Sequence, residues 1–133
     1  MSQKGRFIQE RGDQMDELLE ICEVLFFVPN VQVAKAWYIA LFGEQPHFDD
    51  ENYCAFEVAG STVGIHPIDD KTSSGVAGQV TYWRVADIHK AIARFESHGC
   101  RLFRGPIFGV DKVWVCQLTD PFGNAWGLMQ RPQ

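Results

Sequence analysis

The feature that most constrains this chain is a pattern that occurs twice. Glu23–Gly43 reads as an apolar, aromatic run, a Val28-Pro29-Asn30 break and an amphipathic segment that stops at Gly43. From Val80 the same layout returns: an apolar run, a Val85-Ala86-Asp87 break and a second amphipathic segment that stops at Gly99. Asn30 and Asp87 carry side-chain oxygens that can accept the free amides of a first helical turn, so each break reads as strand, cap, helix. Further on, Gly60-Ser61-Thr62-Val63-Gly64 is echoed by Gly123-Asn124-Ala125-Trp126-Gly127, a turn glycine entering a short strand each time. The chain is two related modules in tandem.

Patterning assigns the remaining elements. Residues 1–12 are a polar lead-in, and Met15, Leu18, Leu19 and Cys22 at helical spacing predict a short appended helix over Asp13–Glu20. The first module, residues 21–68, is expected to hold a strand from Ile21 to Val28 and a helix from Val31 to Phe42. A hairpin over Gln45–Asp49 and Tyr53–Val58 and a strand over Thr62–His66 complete it. Residues 69–78, rich in turn formers, read as a linker. The second module, residues 79–133, is expected to hold a strand over Gln79–Val85, a helix over Ile88–His98 and strands near Arg101–Phe103 and Val113–Leu118. A tight Asp120–Gly123 turn then leads to a last strand over Ala125–Met129. The order is β-α-β-β-β twice, an α+β architecture.

Composition narrows the function classes. At 133 residues and 46% hydrophobic the chain can bury a core, although either module alone, at roughly 60 residues, would be marginal. A formal net charge of -5 with scattered basic residues disfavours a nucleic-acid surface. No run approaches the ~20 apolar residues of a membrane span, and the polar start lacks a signal-peptide pattern. The expectation is a soluble cytoplasmic protein. Cys22, Cys54, Cys100 and Cys116 form no C-x-x-C pair and read as reduced thiols packed as small hydrophobes. Phosphate loops, nucleophile elbows and H-E-x-x-H helices are absent from the sequence.

Two motifs carry a family resemblance. Phe27-Val28-Pro29-Asn30 followed by a helix with Trp37-Tyr38 and Leu41-Phe42-Gly43 closes the first module's helix, and Asp120-Pro121-Phe122-Gly123-Asn124 precedes the final strand. Together, over Glu23–Gln130, they resemble the vicinal oxygen chelate superfamily, which includes glyoxalase I, extradiol dioxygenases, fosfomycin-resistance transferases and bleomycin-resistance proteins. The resemblance implies paired βαβββ modules whose curved mixed sheets enclose a cavity, usually in a homodimer. In the family's metal enzymes a divalent ion is held at the start of each module's first strand and on each module's last strand. Counted from the caps and the turn glycines, those positions are Glu23, Val80, Gly64 and Gly127. Only Glu23 has a donor atom, and a protein-held transition ion needs at least three good ligands. The expectation is therefore no metal and no cofactor.

Strand alternation lists what the cavity holds instead: Glu23, Leu25, Phe27; Thr62, Gly64, His66; Val80, Tyr82, Arg84; and Ala125, Gly127, Met129. Two glycines at equivalent places either leave space for a ligand or relieve crowding. Arg84 could clamp a carboxylate or pair with Glu23, and Trp37, Trp83 and Trp126 read as core. The facing of Trp114, Phe103 and Phe108 stays open. The candidate ligand-binding residues are Glu23, Phe27, His66, Tyr82, Arg84 and Trp114, with Glu23 as charge partner and the aromatics as stacking surfaces. They suit a metal-free, homodimeric protein resembling the bleomycin-resistance type that sequesters an aromatic or cationic small molecule. The alternatives are a lyase or dioxygenase with displaced ligands Glu23, His66 and Gln79, an isomerase using Glu23 as base, and an interaction subunit.

Overall fold

The computed structural model describes residue 16 and residues 21–70, 72–77, 79–109 and 112–132. Apart from Asp16, the helix expected over Asp13–Glu20 lies outside them. Each repeat folds as one β-α-β-β-β unit. The first comprises β1 (Glu23–Val28), α1 (Val31–Phe42), β2 (Phe48–Asp50), β3 (Tyr53–Val58) and β4 (Ser61–Pro67). The second comprises β5 (Tyr82–Arg84), α2 (Ile88–Ser97), β6 (Arg101–Phe108), β7 (Trp114–Thr119) and β8 (Ala125–Gln130). Two open four-stranded sheets result, ordered β1-β4-β3-β2 and β5-β8-β7-β6. In each, the first strand runs parallel to the last and the other pairings are antiparallel.

The caps act as the sequence implies. Asn30 Oδ1 accepts the Val33 amide at 3.1 Å, and Asp87 Oδ1 accepts the Lys90 amide at 3.1 Å. Gly43, at φ 74°, closes α1 in the left-handed region and returns its amide to the Ile39 carbonyl at 2.8 Å. Helix α1 has the expected span, and α2 stops one residue before the expected His98. Strand β5 is a larger departure, because it covers only Tyr82–Arg84 instead of Gln79–Val85. Its partner β8 begins at Ala125, directly after the Asp120–Gly123 turn, so the ladder runs out beneath Thr81, whose carbonyl accepts the Gly127 amide at 3.0 Å. Val80 therefore lies outside the strand. Strand β6 is longer than expected and keeps pace with β7 through two register shifts.

Period-two alternation sends Val24, Phe26 and Val28 toward α1, where they meet Val31, Ala34, Tyr38 and Leu41 together with Val63, Ile65, Cys54 and Phe56. The second core gathers Ile88, Ile92, Cys100, Cys116, Leu118 and Leu128. Trp126 joins the two, with its ring 4.9 Å from Phe26, 5.4 Å from Phe95 and 6.0 Å from Trp83. Trp37, on the α1 stripe, and Trp83, by strand alternation, pack against both clusters. Burying each large apolar side chain contributes about 1.5–3 kcal/mol.

Asp120, 5% exposed, is the polar tie between the modules. Its Oδ1 accepts the amides of Phe122 and Asn124, each at 3.0 Å, which holds the turn. Its Oδ2 accepts the Tyr38 hydroxyl at 2.7 Å and the Trp126 indole N–H at 3.1 Å. Burial, reinforced by this carboxylate, raises the Tyr38 phenol far above its ordinary range and keeps it a neutral donor. Asn124 donates to the Phe27 carbonyl at 2.9 Å and accepts the Gly75 amide at 2.9 Å, so it fastens both β1 and the linker. The Trp37 indole donates to the His98 carbonyl and Arg94 to the Leu41 carbonyl, both at 2.7 Å. All four cysteines are free thiols. Burial pushes Cys54 and Cys116 up to about 11 and Cys100 up to about 12, while Cys22 is exposed. Among the described residues no helix is long and apolar enough to cross a membrane.

Candidate functional site

With the convex faces covered by helices, the concave faces remain for function. In the first sheet the register sets Glu23 beside Thr62, Leu25 beside Gly64 and Phe27 beside His66. Ala55 lies opposite Gly64 and Phe48, and Tyr53 opposite Asp50. Gly64 matters because of what stands over it. A Cβ built there would meet Glu23 Oε2 at 2.0 Å and Leu25 Cδ1 and the Tyr53 hydroxyl at 2.9 Å. The absent side chain thus makes room for a hydrogen bond from the Tyr53 hydroxyl to the Glu23 carboxylate, which crosses β4. Desolvation, then the bond to Glu23 and its negative charge, push the Tyr53 phenol from 10.0 up to about 12. A neutral donor holds the carboxylate, which has no cationic partner among the described residues.

The second sheet fills the same position differently. Tyr82 lies beside Gly127, and a Cβ on Gly127 would meet the Tyr82 ring at 2.7 Å and the Thr81 carbonyl at 2.8 Å. The tyrosine ring therefore covers the glycine directly, and its hydroxyl accepts from Gln117 Nε2 at 2.8 Å. Both glycines relieve crowding, and the room they leave is already taken by Glu23, Tyr53 and Tyr82.

The other predicted residues are spread out. Phe27 and His66 touch, with ring centroids 5.1 Å apart, and His66 Nδ1 lies 2.7 Å from the Pro67 carbonyl. His66 stands four residues along β4 from Thr62, hence about 13 Å from the Glu23 row by strand rise. Arg84 lies in the second sheet, beside Met129, and among the described residues no Glu23–Arg84 ion pair forms. Trp114 falls in step with Cys116 and Leu118 on the α2 side. There its ring lies 4.9 Å from His89 and 4.8 Å from Phe108, so the structure does not bring it to the concave face. Tyr53 and Gln117, absent from the sequence expectation, both contact predicted residues. The signal available for them was only their place on strands adjoining the two glycines.

Two hollows adjoin Glu23. One, of about 650 Å³, lies on the first concave face among Cys22, Glu23, His47, Phe48, Asp50 and Tyr53. The other, of about 390 Å³, opens between the β1 edge and the linker, with Gln79, Val80, Thr81 and Ala125 on its far wall. Both volumes suit a small molecule.

The donor set is poor for a divalent ion. Of Glu23, Val80, Gly64 and Gly127 only Glu23 has a donor atom, and Tyr53 engages it. His66 is too distant to join Glu23 and Gln79. Among the described residues no group of three or more His, Cys, Asp and Glu is arranged to hold a metal ion. These residues do not fit such an ion.

The fold has many structural counterparts. A glyoxalase-related enzyme from Fulvimarina pelagi superposes with TM-score 0.72 at 14% identity, covering 86% of this chain and 90% of that one. A glyoxalase/bleomycin resistance protein/dioxygenase family enzyme from Burkholderia phytofirmans PsJN gives 0.69 at 16% identity, covering 83% and 97%. Lactoylglutathione lyase from Agrobacterium tumefaciens gives 0.64 at 16% identity, covering 84% and 92%. A search of curated proteins finds no match. At such identities the structures speak for the fold alone, but a family model matches residues 20–128, from the strand that carries Glu23 to the one that carries Gly127. With that span matched and the twin βαβββ units in place, the chain belongs to the Glyoxalase/Bleomycin resistance protein/Dioxygenase superfamily.

Proposed function

We propose that this chain is a metal-free small-molecule-binding protein of the bleomycin-resistance type, sequestering an aromatic or cationic compound on its concave faces. The observation that carries the reading is the state of Glu23. Its carboxylate is oriented by a neutral phenol, has no cationic partner among the described residues, and sits beside Leu25, Tyr53 and Phe48. The Phe48 and Tyr53 rings lie 5.7 Å apart and give a flat group something to stack on. An organic cation gains both a counter-charge and π-faces there. Tyr82, held by Gln117, offers a further aromatic surface in the second sheet. The protein acts as a homodimer in the cytoplasm.

The test combines elemental analysis with calorimetry. Purified protein, incubated with Zn, Ni, Fe, Mn or Co and washed, is expected to retain no stoichiometric metal. It is expected to bind benzyltrimethylammonium, and Glu23→Gln should weaken that binding about ten-fold. Stoichiometric metal, or binding of the cation indifferent to Glu23→Gln, would overturn the reading.

A further inference from the structure

The concave face of the second sheet has a charge that the composition does not suggest. In a chain of net charge -5, the register places Arg84, Arg101 and Arg104 on this face and, among the described residues, no carboxylate. Arg84 lies beside Met129 on parallel strands. Alternation past Met129 turns Arg131 to the same side, and the two arginines line one hollow of about 500 Å³ with Val85, Ala86 and Pro132. Strand spacing and rise put their Cα atoms about 8 Å apart. Both are exposed, and neither has an acidic partner among the described residues. Two like charges on diagonal neighbours repel unless something negative lies between them, and the planar guanidinium fork matches a carboxylate or phosphate.

We propose that Arg84 and Arg131 form an anion subsite that takes a carboxylate or phosphate group at the end of the second concave face. The proposal rests on the binding role given above and deepens it. The chain then takes an anionic group on its second concave face as well as the cationic or aromatic group met by Glu23, and its net charge ceases to be a guide to what it binds.

The test is a nuclear magnetic resonance titration of the full chain with inorganic phosphate and, separately, benzoate, at constant ionic strength against chloride. Saturable shifts are expected at the backbone amides of Arg84, Val85, Ala86 and Arg131 with one or both anions, and the stronger response identifies the source. Arg84→Gln and Arg131→Gln should each weaken binding about ten-fold. Lys90→Gln, on the exposed surface of α2, should leave it unchanged. Shifts that rise linearly as they do in chloride, or that survive both arginine substitutions, overturn the proposal. So does loss of binding that merely accompanies dissociation of a dimer in gel filtration, since the arginines would then belong to a contact with the acidic face of a second copy. Absent anion binding while benzyltrimethylammonium still binds through Glu23 sinks the anion subsite alone. The converse result sinks the cation reading and leaves the subsite standing.

Discussion

Two rows of side chains, one in each sheet, invite comparison: Leu25–Gly64–Ala55 and Tyr82–Gly127–Gln117. They occupy matching places in the two repeats. In the first, all three members are small or aliphatic, and the gap is roofed by a carboxylate and a phenol reaching in from neighbouring rows. In the second, the row fills itself, with the Tyr82 ring over the glycine and Gln117 bonded to its hydroxyl. Around the first row stand Glu23, Asp50 and Glu57; around the second stand Arg84, Arg101 and Arg104. A repeated backbone therefore fixes where a glycine is needed, while the neighbours decide the chemistry that occupies the space.

The sharpest way to break the comparison is at the turns that lead into the two glycine strands. The first module turns on Ala59-Gly60 alone, whereas the second uses the Asp120 carboxylate, which also binds Tyr38 of the first module. Asp120→Ala strips the buried Tyr38 hydroxyl and Trp126 indole of their acceptor and loosens the turn. It should cost about 3–5 kcal/mol in urea unfolding, in one transition that takes both modules together. Next come the glycines themselves. Gly127→Ala drives a methyl group into the Thr81 carbonyl and the Tyr82 ring, a backbone obstacle, and should cost about 2–3 kcal/mol. Gly64→Ala meets only the ends of movable side chains, so its cost should stay under about 1 kcal/mol, with the Glu23–Tyr53 bond lost instead. Equal costs for the two would erase the distinction drawn between the rows.

The smallest effect is a titration. Because the folded state raises the Tyr53 phenol from 10.0 to about 12, it holds that proton more tightly than the unfolded chain does. The contribution to stability is complete below pH 10 and is lost as pH rises toward 12. Ultraviolet titration, with Tyr53→Phe as the difference reference, should find the phenol returning toward 10 in Glu23→Gln. An unchanged midpoint would show that burial alone sets it.

Local signals read well and non-local ones did not. Helix α1 matched its expected span because Asn30 and Gly43 fix its ends within the segment itself. The concave residues of β1 and β4 followed from alternation, which needs no partner. Strand β5 was overextended because its length depends on where β8 begins, about 40 residues away. Trp114 could not be oriented beforehand because β6 slips register twice against β7. The Glu23–Tyr53 bond spans three strands, and nothing near Glu23 in the sequence announces it. Arg131 gains meaning only from its seat next to Arg84, which no local pattern in the sequence announces.

The thiols described with the fold have a practical consequence. Cys54, Cys100 and Cys116 are buried and held in the protonated form, so at neutral pH an alkylating dye has little thiolate to attack there. Cys22 is exposed and borders the same hollow as Glu23. The unaltered chain thus supplies its own attachment point for a fluorophore or a fluorine tag, one residue from the carboxylate on which the binding role depends.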